Sequence, residues 1–259
     1  MPVPAGSYLQ YVLKVKNMHR VHSPFMFSLY QDVIRNTRQY YIFEEIEEER
    51  KRLLQDSELL SNNDPGAGSR GVKPRTVSEI AAVSLVRPAY GRMLFKLVQH
   101  FQYKNMLELG TSLGISGAYL AAAAADANLI TIEGREEISR KAAETFGRLG
   151  LRNITQIQGL FENTLETALQ QLKNVDLVYL DGDHRGEAVK QHVKTILPFL
   201  SKNALIVVDD IRWSPSMWQA WQELKKMPEF EVTADLLRMG LLFKRPGQAS
   251  EDFTLYPPR

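Results

Sequence analysis

The 259 residues contain no cysteine, which rules out disulfides and thiolate metal ligands. No apolar run approaches the ~20 residues that a helical membrane span requires. No charged, apolar, small-residue leader opens the sequence, and a cytoplasmic protein is therefore expected. An excess of one charge is missing too, since 32 Lys and Arg face 30 Asp and Glu. Residues 1–104 hold 15 basic and 10 acidic side chains and the rest hold 17 and 20. That asymmetry is mild and comes without a basic stripe interleaved with aromatics, so nucleic acid is not expected as a partner. With 44% hydrophobic residues, the chain is long enough for one substantial core plus an appended element.

What is present falls into two parts, a helical extension over 1–75 and an α/β domain over 76–259. Ser7 to Met18 and Pro24 to Asn36 place apolar residues at helical spacing. Glu44 to Leu60 joins charge pairs four apart to Leu53, Leu54, Leu59 and Leu60, so three helices are expected. Residues 61–75 then crowd Gly, Pro, Asn and Ser together without apolar anchors. This is the composition of a mobile loop, serving as a passive linker or as a lid over a ligand. Two further helices are predicted from Thr76 to Val86 and from Pro88 to His100. His19 and His22 could share a helix face and bind a metal, but no third ligand lies near them, which favours capping or surface roles.

From residue 105 onward, strand and helix alternate. Apolar runs at Met106 to Leu109, Asn128 to Glu133, Ile154 to Gly159, Val175 to Asp183 and Ala204 to Ile211 predict five strands, separated by helical segments near 115–125, 135–149, 163–172, 186–200 and 214–227. Continuous apolar runs belong to parallel strands buried on both faces, and function gathers at their C-terminal tips. Phe230 to Asp235 and Gly240 to Lys244 are joined too briefly for a helical crossover, so they predict an antiparallel hairpin. The expected fold is α/β, a doubly wound, mostly parallel seven-stranded sheet with its last strand reversed.

The chemistry concentrates at those tips. Glu108-Leu109-Gly110-Thr111-Ser112-Leu113-Gly114-Ile115-Ser116 ends the first of these strands and opens a helix. Gly110 and Gly114 allow a tight turn and close approach to a ligand, at which the helix aims free N–H groups. A pyrophosphate-binding turn would want a glycine where Ser112 stands, whereas the acidic Glu108 suits a cationic ligand. Glu133 ends the next strand, where a carboxylate can reach two ribose hydroxyls. Asp181, Asp183 and His184 follow one later strand, and Asp209 and Asp210 another. Like charges held close together must be separated, protonated or bridged by a cation such as Mg²⁺.

Glu-x-Gly-x-x-x-Gly together with these strand tips resembles the class I S-adenosylmethionine-dependent methyltransferases, over roughly residues 76 to 246. The resemblance implies a Rossmann-like fold and S-adenosylmethionine as cofactor. It implies contacts from Glu108, Gly110, Thr111, Ser112, Gly114, Ile115, Ser116, Glu133 and Gly134, with Gly159 and Phe161 beside the adenine. Asp181 would orient the cofactor, and Ser84 and Tyr90 would cover it. Asp-Gly-Asp followed by Asp-Asp resembles the cation-dependent O-methyltransferases that act on catechols, caffeoyl thioesters and sugar hydroxyls. This implies Asp181, Asp209 and Asp210 as ligands for Mg²⁺ or another divalent cation, with Asp183 or His184 as the base. The same residues also read as a helix cap and an ordinary strand-end turn, and the plant-type enzymes carry Asn at the position of Asp210. Trp218 and Trp221, three apart, read as core, while Trp213 is better placed to touch an acceptor. The segment around His19 and His22 resembles that of bacterial methyltransferases, notably of the Bacteroidetes, without assigned substrate. The expected function is methyl transfer to a hydroxyl oxygen of a small molecule, with a homodimer as the candidate assembly. The alternatives are a metal-independent N-, RNA or protein methyltransferase, or a protein that binds the cofactor without turnover.

Overall fold

A computed structural model describes residues 5–15, 22–61 and 74–259. His19 and all but the ends of the 61–75 segment lie outside the described residues. The elements in chain order begin with α1 (Ala5–Lys14), α2 (Pro24–Leu29), α3 (Tyr41–Gln55), β1 (Leu59–Leu60), β2 (Arg75–Thr76), α4 (Val77–Ser84) and α5 (Pro88–Phe101). The alternating region follows with β3 (Asn105–Leu109), α6 (Ile115–Ala122), β4 (Asn128–Glu133), α7 (Glu136–Arg148), β5 (Ile154–Gln158), α8 (Phe161–Leu172), β6 (Val175–Leu180) and α9 (Gly186–Ile196). The chain closes with β7 (Leu200–Val208), α10 (Pro215–Leu224), β8 (Val232–Leu236), β9 (Met239–Phe243) and β10 (Glu251–Thr254). Two compact units result, Arg38–Leu172 and Met1–Thr37 with Lys173–Arg259. The extension expected over 1–75 is thus shared between them, with α1 and α2 in one unit and α3 in the other.

In the Arg38–Leu172 unit, β3, β4 and β5 run parallel in that order, with Leu107 opposite Ile130 and Ile132 opposite Ile157. Helices α6, α7 and α8 pack on these strands. Local chemistry sets the helix ends. Thr76 and Glu79 form a reciprocal capping box on α4, with Thr76 Oγ1 accepting from Glu79 N at 3.2 Å and Glu79 Oε2 accepting from Thr76 N at 2.8 Å. Pro88 opens α5, where its missing N–H costs nothing. Helix α3 begins earlier than expected and stops at Gln55, because Asp56 turns extended. Leu59 and Leu60 instead pair antiparallel with Thr76 and Arg75. On α3, Glu49 accepts from Arg52 and from Arg148 of α7, so charge fastens the two helices together.

In the other unit the strand order is β10-β8-β9-β7-β6. Strands β6 and β7 are parallel and β9 runs against both its neighbours, β7 and β8, as the short connection required. Strand β10 adds parallel to β8, a strand that its polar sequence Glu-Asp-Phe-Thr did not announce. Buried Leu177, Val178, Leu205, Ile206, Val207, Leu241 and Leu242 form the core of this unit. Tyr11 of α1 is buried and donates to Leu255 O at 2.8 Å, tying the N-terminal helix to the C-terminal segment. The helix expected over Pro24 to Asn36 runs from Pro24 to Ile34, and its second half, Tyr30–Ile34, widens into a π turn closed by Arg35 N donating to Tyr30 O at 2.8 Å.

Candidate active site

The loop after β3 is held from behind by a fully buried carboxyl. Glu108 Oε1 accepts from Ser116 Oγ and Oε2 accepts from Thr131 Oγ1, each at 2.6 Å, and Thr131 Oγ1 lies 2.6 Å from Thr111 Oγ1. One acid thereby joins the strand end, the loop, the first turn of α6 and the neighbouring strand. Burial, reinforced by the charge of Glu133 and opposed by the two hydroxyls, pushes the Glu108 pKa up to about 7. The side chain is not exposed, so Glu108 shapes the loop from inside rather than offering its carboxylate to a ligand. Thr111, Ile115 and Ser116 are buried with it.

Two glycines are sterically required here. Gly114, the N-cap of α6, has φ +86° and a Cβ there would stand 2.9 Å from Phe146. At Gly117 a Cβ would lie 2.8 Å from Glu108 Oε2. Gly117, Thr131 and Phe146 support the loop without matching any motif. The one signal for Thr131 was a hydroxyl inside the otherwise apolar run Leu129 to Ile132.

Glu133 occupies the tip of β4. Its Oε2 accepts from Ser112 N at 2.9 Å and its Oε1 from Arg135 N at 3.1 Å, which leaves lone pairs for further donors. Ser112, with φ +46°, donates from Oγ to Ser84 Oγ at 2.8 Å, so the end of α4 reaches the loop. Gly110 N and Thr111 N both donate to Ile132 O. Gly159 N donates to Glu133 O at 2.9 Å, which brings the end of β5 and Phe161, at the start of α8, to the same edge with Gly134. Tyr90, by contrast, is buried in α5. The Arg38–Leu172 unit therefore presents a cradle made of Ser112, Glu133, Gly134, Gly159 and Phe161 around a glycine-built turn.

The acidic tips belong to the other unit. Ligand atoms of Asp181, His184 and Asp210 all lie within 4.8 Å of one another, each side chain half-buried. His184 stands beside the exposed Trp213, ring centroids 5.4 Å apart. Asp183 is engaged by Arg185. Burial would raise its pKa, but the side-chain and backbone bonds from Arg185 hold it below the usual carboxylate range. Asp209 is buried and fully engaged: Oδ1 accepts from Arg238 Nε at 2.8 Å and from Asp210 N at 2.7 Å, and Oδ2 accepts from Tyr179 OH at 2.8 Å. Arg238 also reaches Asp210 at 3.3 Å. Trp221 is core, and Trp218 stacks on the Arg212 guanidinium at 4.4 Å.

Residues 107–211 match the family model of a methyltransferase domain. Over that stretch the chain is similar to a methyltransferase domain. No curated protein matches the sequence. Among solved structures, an O-methyltransferase from Bacillus cereus in complex with S-adenosylhomocysteine is 18% identical, with 80% of this chain and 91% of that one covered at a TM-score of 0.55. TomG from Streptomyces achromogenes, an O-methyltransferase of tomaymycin synthesis in complex with S-adenosylmethionine, is 16% identical, covering 90% and 100% at 0.56. A Staphylococcus aureus protein provisionally assigned as a caffeoyl-CoA O-methyltransferase is 20% identical, covering 64% and 88% at 0.58. These likenesses establish the Rossmann-like methyltransferase fold. Among the described residues, no helix is long and apolar enough to cross a membrane.

Proposed function

We propose that the chain transfers the methyl group of S-adenosylmethionine to a hydroxyl oxygen of a small molecule. The observation that carries this reading is the cradle. A glycine turn with free helix N–H groups, locked by Glu108, lies beside Glu133, whose remaining lone pairs suit two ribose hydroxyls. Ser112 and Gly134 would flank the ribose, and Gly159 and Phe161 would border the adenine. When bound, S-adenosylmethionine supplies an electrophilic methyl group on a sulfonium. The protein's part is to orient the acceptor and remove its proton. His184 is the base in this reading, with an imidazole nitrogen accepting the hydroxyl proton while Asp181 and Asp210 stabilise the resulting imidazolium. Trp213 offers an exposed ring beside it. The absence of cysteine accords with the cytoplasmic location we assign.

The set Asp181, Asp209 and Asp210 does not fit a divalent cation, because both Asp209 oxygens already accept from Arg238, Tyr179 and the Asp210 amide. A second reading places a cation on Asp181, His184 and Asp210, favoured by the 4.8 Å spacing of their ligand atoms. An imidazole ligand would tilt that site away from Mg²⁺ towards Mn²⁺ or Zn²⁺. Calorimetry with S-adenosylmethionine, S-adenosylhomocysteine and NAD tests the cofactor. Both sulfur compounds should bind in the micromolar range and NAD should not; tight NAD binding without an S-adenosylmethionine signal would overturn the proposal. Release of S-adenosylhomocysteine across a panel of phenols, catechols and sugar alcohols then identifies the acceptor.

A further inference from the structure

Asp209 and Asp210 are adjacent carboxylates at a strand tip, one buried and one half-buried. Such a pair needs a cation between them, a proton, or separation. The sequence suggested a metal ion, but the structure supplies a guanidinium. Arg238 Nε lies 2.8 Å from Asp209 Oδ1 and 3.3 Å from Asp210 Oδ1, and Nη2 lies 3.3 Å from an oxygen of each. One planar fork spans both carboxylates.

This placement is built into the backbone. Leu237 and Arg238 form the two-residue connection between β8 and β9, with Leu237 at φ +72° and Arg238 N donating to Leu236 O at 2.9 Å. The Arg238 carbonyl accepts from Ile211 N at 3.0 Å, so the hairpin tip is pinned to the same turn that carries Asp210, itself at φ +49°. The Arg238 side chain cannot leave the acidic pair without depriving the buried Asp209 of two of its donors. Burial works against the guanidinium, but the two carboxylates outweigh it and hold Arg238 more firmly protonated than an ordinary arginine.

We propose that Arg238 is a resident cation that stands where a divalent metal would bridge Asp209 and Asp210, and that the wild-type site therefore binds no metal. Arg238 acts as a positioning residue in this role, fixing Asp210 beside His184. The inference deepens the proposed function by assigning it to a metal-independent mode. It also predicts a latent site. Without the arginine charge, Asp181, Asp209, Asp210 and His184 become a set of oxygen and nitrogen donors suited to Mn²⁺.

The test is Mn²⁺ titration of the EDTA-dialysed full chain, read by the electron paramagnetic resonance signal of free Mn²⁺, with S-adenosylhomocysteine binding measured in parallel. Wild type should leave Mn²⁺ free. Arg238→Met, which keeps length and loses charge, should bind Mn²⁺ at least ~10-fold more tightly than wild type. Adding Asp210→Asn to it should remove most of that gain. One equivalent of Mn²⁺ bound by wild type overturns the proposal, and this measurement needs no variant to fold. An Arg238→Met protein with wild-type circular dichroism and no gain in Mn²⁺ affinity overturns it as well. Failure of S-adenosylhomocysteine to bind would instead count against the methyltransferase reading, so the two are separable.

Discussion

The proposed cofactor cradle and the acidic tips solve opposite electrostatic problems with the same residue type. In the Arg38–Leu172 unit, Glu108 is buried without any cation. It is tolerated because two hydroxyls donate to it and because its pKa has risen to about 7. In the other unit, Asp209 is equally buried, but it lies against the Arg238 guanidinium. The first arrangement shapes a loop for binding, and the second holds charge next to a histidine. Binding and chemistry should therefore come apart under mutation.

The largest expected effect tests that separation directly. His184→Gln should lower methyl transfer by about 10²- to 10⁴-fold, the usual contribution of a general base. Affinity for S-adenosylmethionine should stay within about twofold, since His184 contributes nothing to the cradle in the proposed mechanism. Steady-state kinetics and calorimetry on one preparation check this. A matching loss of cofactor affinity would collapse the distinction between the two regions.

Next in size is the pH response of the cradle. The folded pKa of Glu108, about 7, lies above its ordinary 4.5, so the folded state binds this proton more tightly than the unfolded state does. Its stabilising contribution is complete below about pH 4.5 and is lost as pH rises through about 7, amounting to roughly 3 kcal/mol for this one group. Chemical denaturation of the ligand-free protein between about pH 5 and 8 should show that decline against the background of other groups, and Glu108→Gln should flatten it. An unchanged slope in the variant would mean that Glu108 is charged in the folded state and that the two regions are alike.

Glu133→Ala should weaken S-adenosylmethionine by about 1.5 to 3 kcal/mol, the scale of hydrogen bonds lost to a charged group. The metal response of Arg238→Met should be unaffected by it. Affinity equal to wild type would remove Glu133 from the cradle and leave it only the structural bonds from Ser112 N and Arg135 N.

The difference between the regions also explains what the sequence could and could not disclose. The loop motif of the cradle is compact in sequence, although its partners Ser84, Thr131 and Glu133 lie 21 to 28 positions away. Gly110, Gly114 and Ser116 follow Glu108 within eight positions, so spacing alone located the loop, and the apolar runs placed β3 to β9 to within a few residues. The tips depend on long-range partners. Arg238 lies 29 positions from Asp209 and, read as a sequence, is an ordinary charged residue in a hairpin turn. Nothing local distinguishes a carboxylate awaiting a metal from one already paired. The same limit applies to Glu108, whose acidic character suggested a cationic ligand, while Ser116 and Thr131, the partners that occupy it, became visible only once β3 and β4 lay side by side.

The smallest expected effect is also the most discriminating between two adjacent residues. Asp183 and His184 were equal candidates for the base, yet Asp183 Oδ2 accepts from Arg185 Nη2 at 2.7 Å and its Oδ1 from Arg185 N at 2.9 Å. A carboxylate so engaged is a weak proton acceptor, since its pKa is held low. Arg185 itself is largely exposed, so the pair contributes little to folding, under about 1 kcal/mol as for other solvent-facing ion pairs. Asp183→Asn keeps the oxygen that receives Arg185 N and removes only the charge. Methyl transfer should then stay within about threefold of wild type, near 0.6 kcal/mol, with a melting temperature lowered by no more than about 3 °C. A loss as deep as that of His184→Gln would make Asp183 the proton acceptor and reduce His184 to a neighbour of Trp213.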